Sequence, residues 1–206
     1  MLSLAFTLYQ IGSVSRYQET RSTVLQAIVV KDTLFVMLTL HAMANFMDQL
    51  NHLAIYFMLF ICGGCLGMTA WNLVRSGWTL GDKLNSPQGR GNSLVQLDSV
   101  AALVIGSAWM CFPDWILRRQ VSVTLDAGHL YLGRLMGALF VSTQTLSTQS
   151  LYWSDSGERK IWMMGRCIMC MGILNAQIWS QVAYHQWWSG NHWVGISLFS
   201  FWTLTV

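Results

Sequence analysis

Two cysteine pairs carry the sharpest chemical signal. Cys62-Gly-Gly-Cys65 and Cys167-Ile-Met-Cys170 each place two thiols at i and i+3, which are neighbours on a helix. Dithiol redox pairs use that spacing. Met163 joins Cys167 and Cys170 on one helical stripe, at i, i+4 and i+7. Thioether and thiolate ligands together select soft metals such as Cu(I). Both pairs, however, lie in apolar runs, where burial leaves a thiol protonated and inert. Gly63, Gly64 and Gly67 beside Cys62 suit close helix packing. Packing is therefore the favoured role of Cys62, Cys65, Cys167, Cys170 and Met163, with redox or copper chemistry second.

The histidines point less strongly to chemistry. His52, His185 and His192 fall near one mouth of the apolar segments, and three histidines on one face could bind zinc. They lack HxxH or HxxxH spacing, and only His41 lies well inside an apolar segment. No cofactor is expected; copper or zinc are the secondary expectations. No GxxxxGK[ST], HExxH, GxSxG or Rossmann glycine fingerprint occurs. These absences favour a non-catalytic role.

Four charged residues stand inside apolar segments: Lys31, Asp32, Arg134 and Arg166. Ionisable groups at that depth are costly and are functional candidates for that reason. Lys31 and Asp32 are adjacent, so they point about 100° apart on a helix and are not expected to pair face to face. Asp32 could pair with Arg166, at a comparable depth, and Arg134 with Asp114 or Asp126, but separate snorkelling, a hydrated crevice and solvated loop carboxylates are the favoured readings. A polar stripe runs through VSTQTLSTQS: Ser142, Thr145 and Gln149, with Gln144 and Thr148 beside them. Such groups bond neighbouring helices, for about 0.6 kcal/mol each, or line a polar cavity; packing is the favoured reading.

These residues are positioned by segments that only a membrane protein carries. Of 206 residues, 53% are hydrophobic and 10% charged, where a soluble domain has roughly 25% charged. Twenty-one charged side chains are too few to coat a soluble globule of this size. A net charge of +3 forms no basic stripe for nucleic acid. Eleven Trp and six Tyr suit the aromatic belts of a bilayer interface.

A spanning helix needs about 20 apolar residues. Six segments meet or approach that length: 24–46, 53–74, 95–117, 129–151, 160–183 and 190–206. Residues 1–11 read as a seventh, partial span or an interfacial helix. The fold expected is an all-α polytopic bundle of six to seven spans. Phe112-Pro113 should end or kink the third span. The polar stretch 75–94 divides an N-terminal half, 1–74, from a C-terminal half, 95–206. The halves look weakly related: MLTLHA then NHLAIYF in one, MGILNA then NHWVGISLF in the other.

Alternate connections carry seven Lys and Arg on one side and two on the other. The excess marks the cytoplasmic side, where the C-terminus should also lie. The expected partners are the lipid bilayer and other membrane subunits or a second copy. The leading functional expectation is a structural, assembly or accessory subunit acting through helix packing. A small transporter or channel with a polar cavity between the halves is the alternative, and a membrane thiol or metal redox protein the third reading.

Overall fold

The computed structural model describes residues 18–79, 81 and 90–205. The readings placed on residues 1–17, including the first short span, and on 82–89 of the polar connection lie outside the described residues. Seven α-helices follow in order: α1 (Gln18–Phe46), α2 (His52–Arg75), α3 (Arg90–Cys111), α4 (Pro113–Gln120), α5 (Ala127–Ser150), α6 (Ser156–Ala183) and α7 (His192–Thr205). No strand is present among the described residues. Four helical stretches are long and apolar enough to cross a membrane: Gln18–Gln49, His52–Arg75, Gly91–Cys111 and Ser156–Ala183.

Two expected spans differ from the rest, each for a physical reason. The helix α5 has the expected extent, but half of its 24 residues are buried and many of those are small or polar. It lies against α1 and α3, so its composition answers to protein rather than lipid. At 14 residues, α7 rises about 21 Å, short of a bilayer core about 30 Å thick. The expected third span, 95–117, is broken as well. Pro113 opens α4, because a ring without an N–H fits a first helical turn and not a helix interior.

The helix termini are locally encoded. Asn51 caps α2 by accepting from the Ala54 N–H at 3.1 Å. Asp126 caps α5, accepting from the His129 N–H at 2.9 Å. Asp155 caps α6, accepting from the Gly157 N–H at 2.7 Å. After α2 the chain turns through Gly77 and Trp78, with φ +75° and +52°. Gly77 takes the left-handed conformation that commonly ends a helix.

The helices α3 and α5 run antiparallel and touch backbone to backbone. A Cβ on Gly137 would stand 2.6 Å from the Gly106 carbonyl oxygen, and one on Gly106 would stand 2.8 Å from that of Gly137. Only glycine permits that approach. Pairings at 2.5–2.6 Å, Ser147 to Asp98 and Ser99 to Thr148, continue the register toward one end.

The connections gather at two ends. At one, Gln18 and Ser22 on α1 meet Ser76, Glu19 accepts from the Ser154 N–H at 2.6 Å, and Arg159 reaches Asn92 at 3.3 Å. At the other, an antiparallel bridge joins Val121 to Trp188. There the Ser122 N–H bonds the Trp187 carbonyl and the Ser189 N–H bonds that of Gln120, both at 2.8 Å. The connections that share an end are those the alternating charge count groups together.

Candidate functional site

A seam of buried polar side chains runs inward from the first of these ends. Its outer layer is built on α1 and the α5–α6 connection. Thr20 donates to Glu158. Thr23 donates to Gln149 Oε1 at 2.9 Å, and Gln149 Nε2 donates to Gln26 at 2.5 Å. The indole N–H of Trp153, itself fully buried, donates to Thr23 at 3.2 Å. Val24, Ala27, Leu146, Trp153 and Trp162 surround this layer as an apolar cluster.

Deeper in the seam stands an ion pair. Arg166 on α6 donates to Asp98 on α3 through Nη2 to Oδ1 at 2.7 Å and Nε to Oδ2 at 3.0 Å. Their side chains are 3% and 0% exposed. Ser147 on α5 donates to Oδ2 at 2.5 Å, and the Trp202 indole on α7 donates to Oδ1 at 3.1 Å. Trp162 donates in turn to Ser147 at 3.3 Å. Four helices therefore converge on one carboxylate. Bidentate guanidinium geometry and neutral donors on both oxygens are what a charge pair needs to persist out of water.

The sequence offered Asp32 as a partner for Arg166; the structure assigns Asp98. The reason is depth. Asp98 is level with Ser147 on α5, whereas Asp32 lies further along α1, between Gln26, which is level with Gln149, and Thr39, which is level with Tyr131. Asp32 pairs instead with its chain neighbour: Lys31 Nζ lies 3.0 Å from Oδ1. The 100° offset of adjacent side chains holds for their Cβ atoms, but a four-carbon stem can bend around the helix. Arg134 is half-buried and forms no ion pair among the described residues. Its expected partners are engaged elsewhere, Asp114 with Arg118 at 2.8 Å and Asp126 with His129 at 2.7 Å.

The polar stripe of α5 is distributed among bonds. Gln144 donates to Thr148 at 2.8 Å, Thr148 meets Ser99 on α3, and Gln149 bonds α1. Ser142 turns back to the Leu139 carbonyl at 2.7 Å, and Thr145 is half-buried. The deepest polar positions are Thr143, Ser147 and Ser150, one face round from the stripe that sequence spacing suggests. Gly137, eleven residues before Thr148 and so on the same face, marks the side of α5 that meets α3.

The cysteines are separate free thiols. Cys62 is buried against Met58, sulfur to sulfur 3.7 Å, while Cys65 is exposed. Cys170 is buried and Cys167 half-buried, and Met163 packs on the Trp153–Trp162 cluster. His192 is buried, bonded to Gln181 at 2.6 Å and stacked on Trp188 with ring centroids 3.6 Å apart. His41, His52 and His185 are exposed. Among the described residues, no three His, Cys, Asp or Glu side chains cluster as a metal site would require. A shallow apolar groove on the outer face of α7 is lined by Trp193, Val194, Ser197, Leu198 and Phe201 alone.

No curated protein and no solved structure matches the chain. Over residues 1–206 it matches one family model, and the protein belongs to that family, described as a domain of unknown function, DUF8292.

Proposed function

We propose that this protein is a non-catalytic, multi-pass membrane subunit that acts through helix packing, as an accessory or assembly component. One observation carries the reading. Ser147, Thr148 and Gln149 on α5 are spent on bonds to other helices of the same chain, and Ser142, Thr143 and Ser150 on carbonyls of α5 itself, which joins the helices rather than opening a path between them. Large apolar side chains face outward on α2 and α6, among them Phe60, Trp71, Trp179 and Val182. They suit lipid or another membrane chain.

In this reading α5 and α7 complete a six-span bundle, α5 sheltered by its neighbours and α7 reaching the second interface with the residues around it. The end bearing Arg21, Arg75, Arg159 and Lys160 faces the cytoplasm, with the C-terminus beside it. Two related halves are supported by an element order that occurs twice. A long helix, a single 3-10 turn and a helix opened by Asn-His run over 18–75 and again over 156–205.

Purification from native membranes in mild detergent, followed by native mass spectrometry, tests the proposal. The expected result is a complex of fixed stoichiometry with another membrane polypeptide or a second copy. A lone monomer that conducts ions or oxidises dithiols after reconstitution would overturn it.

A further inference from the structure

Two aspartates lie at membrane depth, and their surroundings are opposite. Asp98 receives donors on both oxygens from Arg166, Ser147 and Trp202. Asp32 is fully buried, and neither of its carboxylate oxygens accepts a hydrogen bond. Lys31 Nζ is close enough to Oδ1 for ion pairing, at 3.0 Å, but is not aligned to donate. A buried carboxylate with a counter-ion and no donors is expensive. Adding a proton removes that cost.

The counter-ion is also retractable. The Lys31 side chain is 26% exposed, and its ammonium lies 5.9 Å from the Phe35 ring centroid. A lysine stem can extend to the interface and keep its charge in water. The other ionisable groups on the elements packed against α1 are few. On α2, Cys62 is held by Met58 and Cys65 is exposed. On α5, Tyr131 is bonded to Thr39 at 2.8 Å, and Arg134 is half-buried.

We propose that Asp32 is a reversible proton-binding site within the membrane, with Lys31 as its exchangeable counter-ion. In one state the carboxylate is ionised and the Lys31 ammonium lies against it. In the other, a proton from water forms an O–H bond on one carboxylate oxygen. Lys31 keeps its own proton and swings to the interface. No bond in the protein breaks, no electron moves, and the site gains one positive charge. The site does not depend on the accessory-subunit reading, since Asp32 is buried within this chain and forms no part of an outward packing surface.

pH-difference infrared spectroscopy of the full chain in lipid nanodiscs tests the site. Acidification from about pH 8 to about pH 4, a window reaching down to ordinary carboxylate values, should bring up, beside the bands of the other acids, one protonated-carboxyl carbonyl band that belongs to Asp32. Asp32→Asn should abolish that band and Asp98→Asn should keep it. Lys31→Met, which removes the counter-ion, should bring the band up at higher pH than in the parent chain. If Asp32→Asn does not fold, Lys31→Met with isotope-labelled aspartate gives the same reading. No band removed by Asp32→Asn, or a Lys31→Met chain that titrates like the parent, would overturn the proposal.

Discussion

Asp98 and Arg166, 68 positions apart in sequence, form a two-toothed ion pair sealed from solvent, with a serine on α5 and a tryptophan on α7 completing the shell of Asp98. Such a pair is fragile in one direction only. Arg166→Met leaves a buried carboxylate without its cation, and should cost about 3–5 kcal/mol. Asp98→Leu combined with Arg166→Met should recover most of that loss, because an apolar pair tolerates the site. A double-mutant cycle from reversible unfolding in detergent checks this; equal losses in the single and double variants would contradict it.

The indole of Trp202 gives the same carboxylate a milder probe. Trp202→Phe keeps an aromatic ring, though a smaller one, and removes the N–H donor, so the expected loss is about 1.5–3 kcal/mol, the range for hydrogen bonds to charged groups. The same unfolding assay reads it, and the loss should vanish when Asp98 is already leucine.

Asp32 and Arg166 share no partner, since one is paired with Lys31 and the other with Asp98. Asp32→Asn and Arg166→Met should therefore add to within about 0.5 kcal/mol. A larger coupling energy would restore the pairing that chain position suggests.

How far the sequence was legible follows from these pairs. The helical segments, four of them long and apolar enough to cross a membrane, and the break at Pro113 were readable because composition and proline chemistry act locally. The grouping of connections at two ends follows from successive long helices reversing direction. The partner of Arg166 was not readable, since depth depends on how the helices are staggered against one another, and Asp32 lies further from the shared end than Asp98 does. On α5 the stripe members Thr148 and Gln149 bond neighbouring helices, while Ser147, outside the stripe, reaches Asp98. Serine and threonine spacing alone does not tell which side meets which neighbour.

The crossing at Gly106 and Gly137 leaves no room for a methyl group. Gly137→Ala would place its Cβ 2.6 Å from the Gly106 oxygen and 2.7 Å from the Met110 nitrogen, both backbone atoms that cannot rotate aside. The helices must separate, at a cost of about 1–3 kcal/mol, and the Ser99–Thr148 bond further along the crossing should loosen with them. Thermal unfolding reads the first effect. Cross-linking of cysteines introduced at 99 and 148 reads the second.

The start of α5 should respond to acid. Hydrogen bonds from the His129 backbone N–H and then its ring hold the exposed Asp126 carboxyl below the usual carboxylate range. A lowered folded value means stabilisation that is complete above about pH 4 and disappears as pH falls through that lowered value. Asp126→Ala should lower Tm at neutral pH, and the gap to the parent chain should close in strong acid. A gap that widens on acidification would refute the assignment.

The burial of α5 also bears on how the molecule is made. This helix carries Ser142, Thr143, Ser147 and Ser150 on its inner side and is too polar to rank among the four stretches fit for lipid on their own. Of its hydrogen-bonding partners, Thr23, Gln26, Asp98 and Ser99 lie on α1 and α3, which precede it in the chain, and Trp162 on α6 follows. A growing polypeptide thus offers two helices as a receiving groove before α5 emerges. Placement of that helix becomes an act of assembly with its own chain.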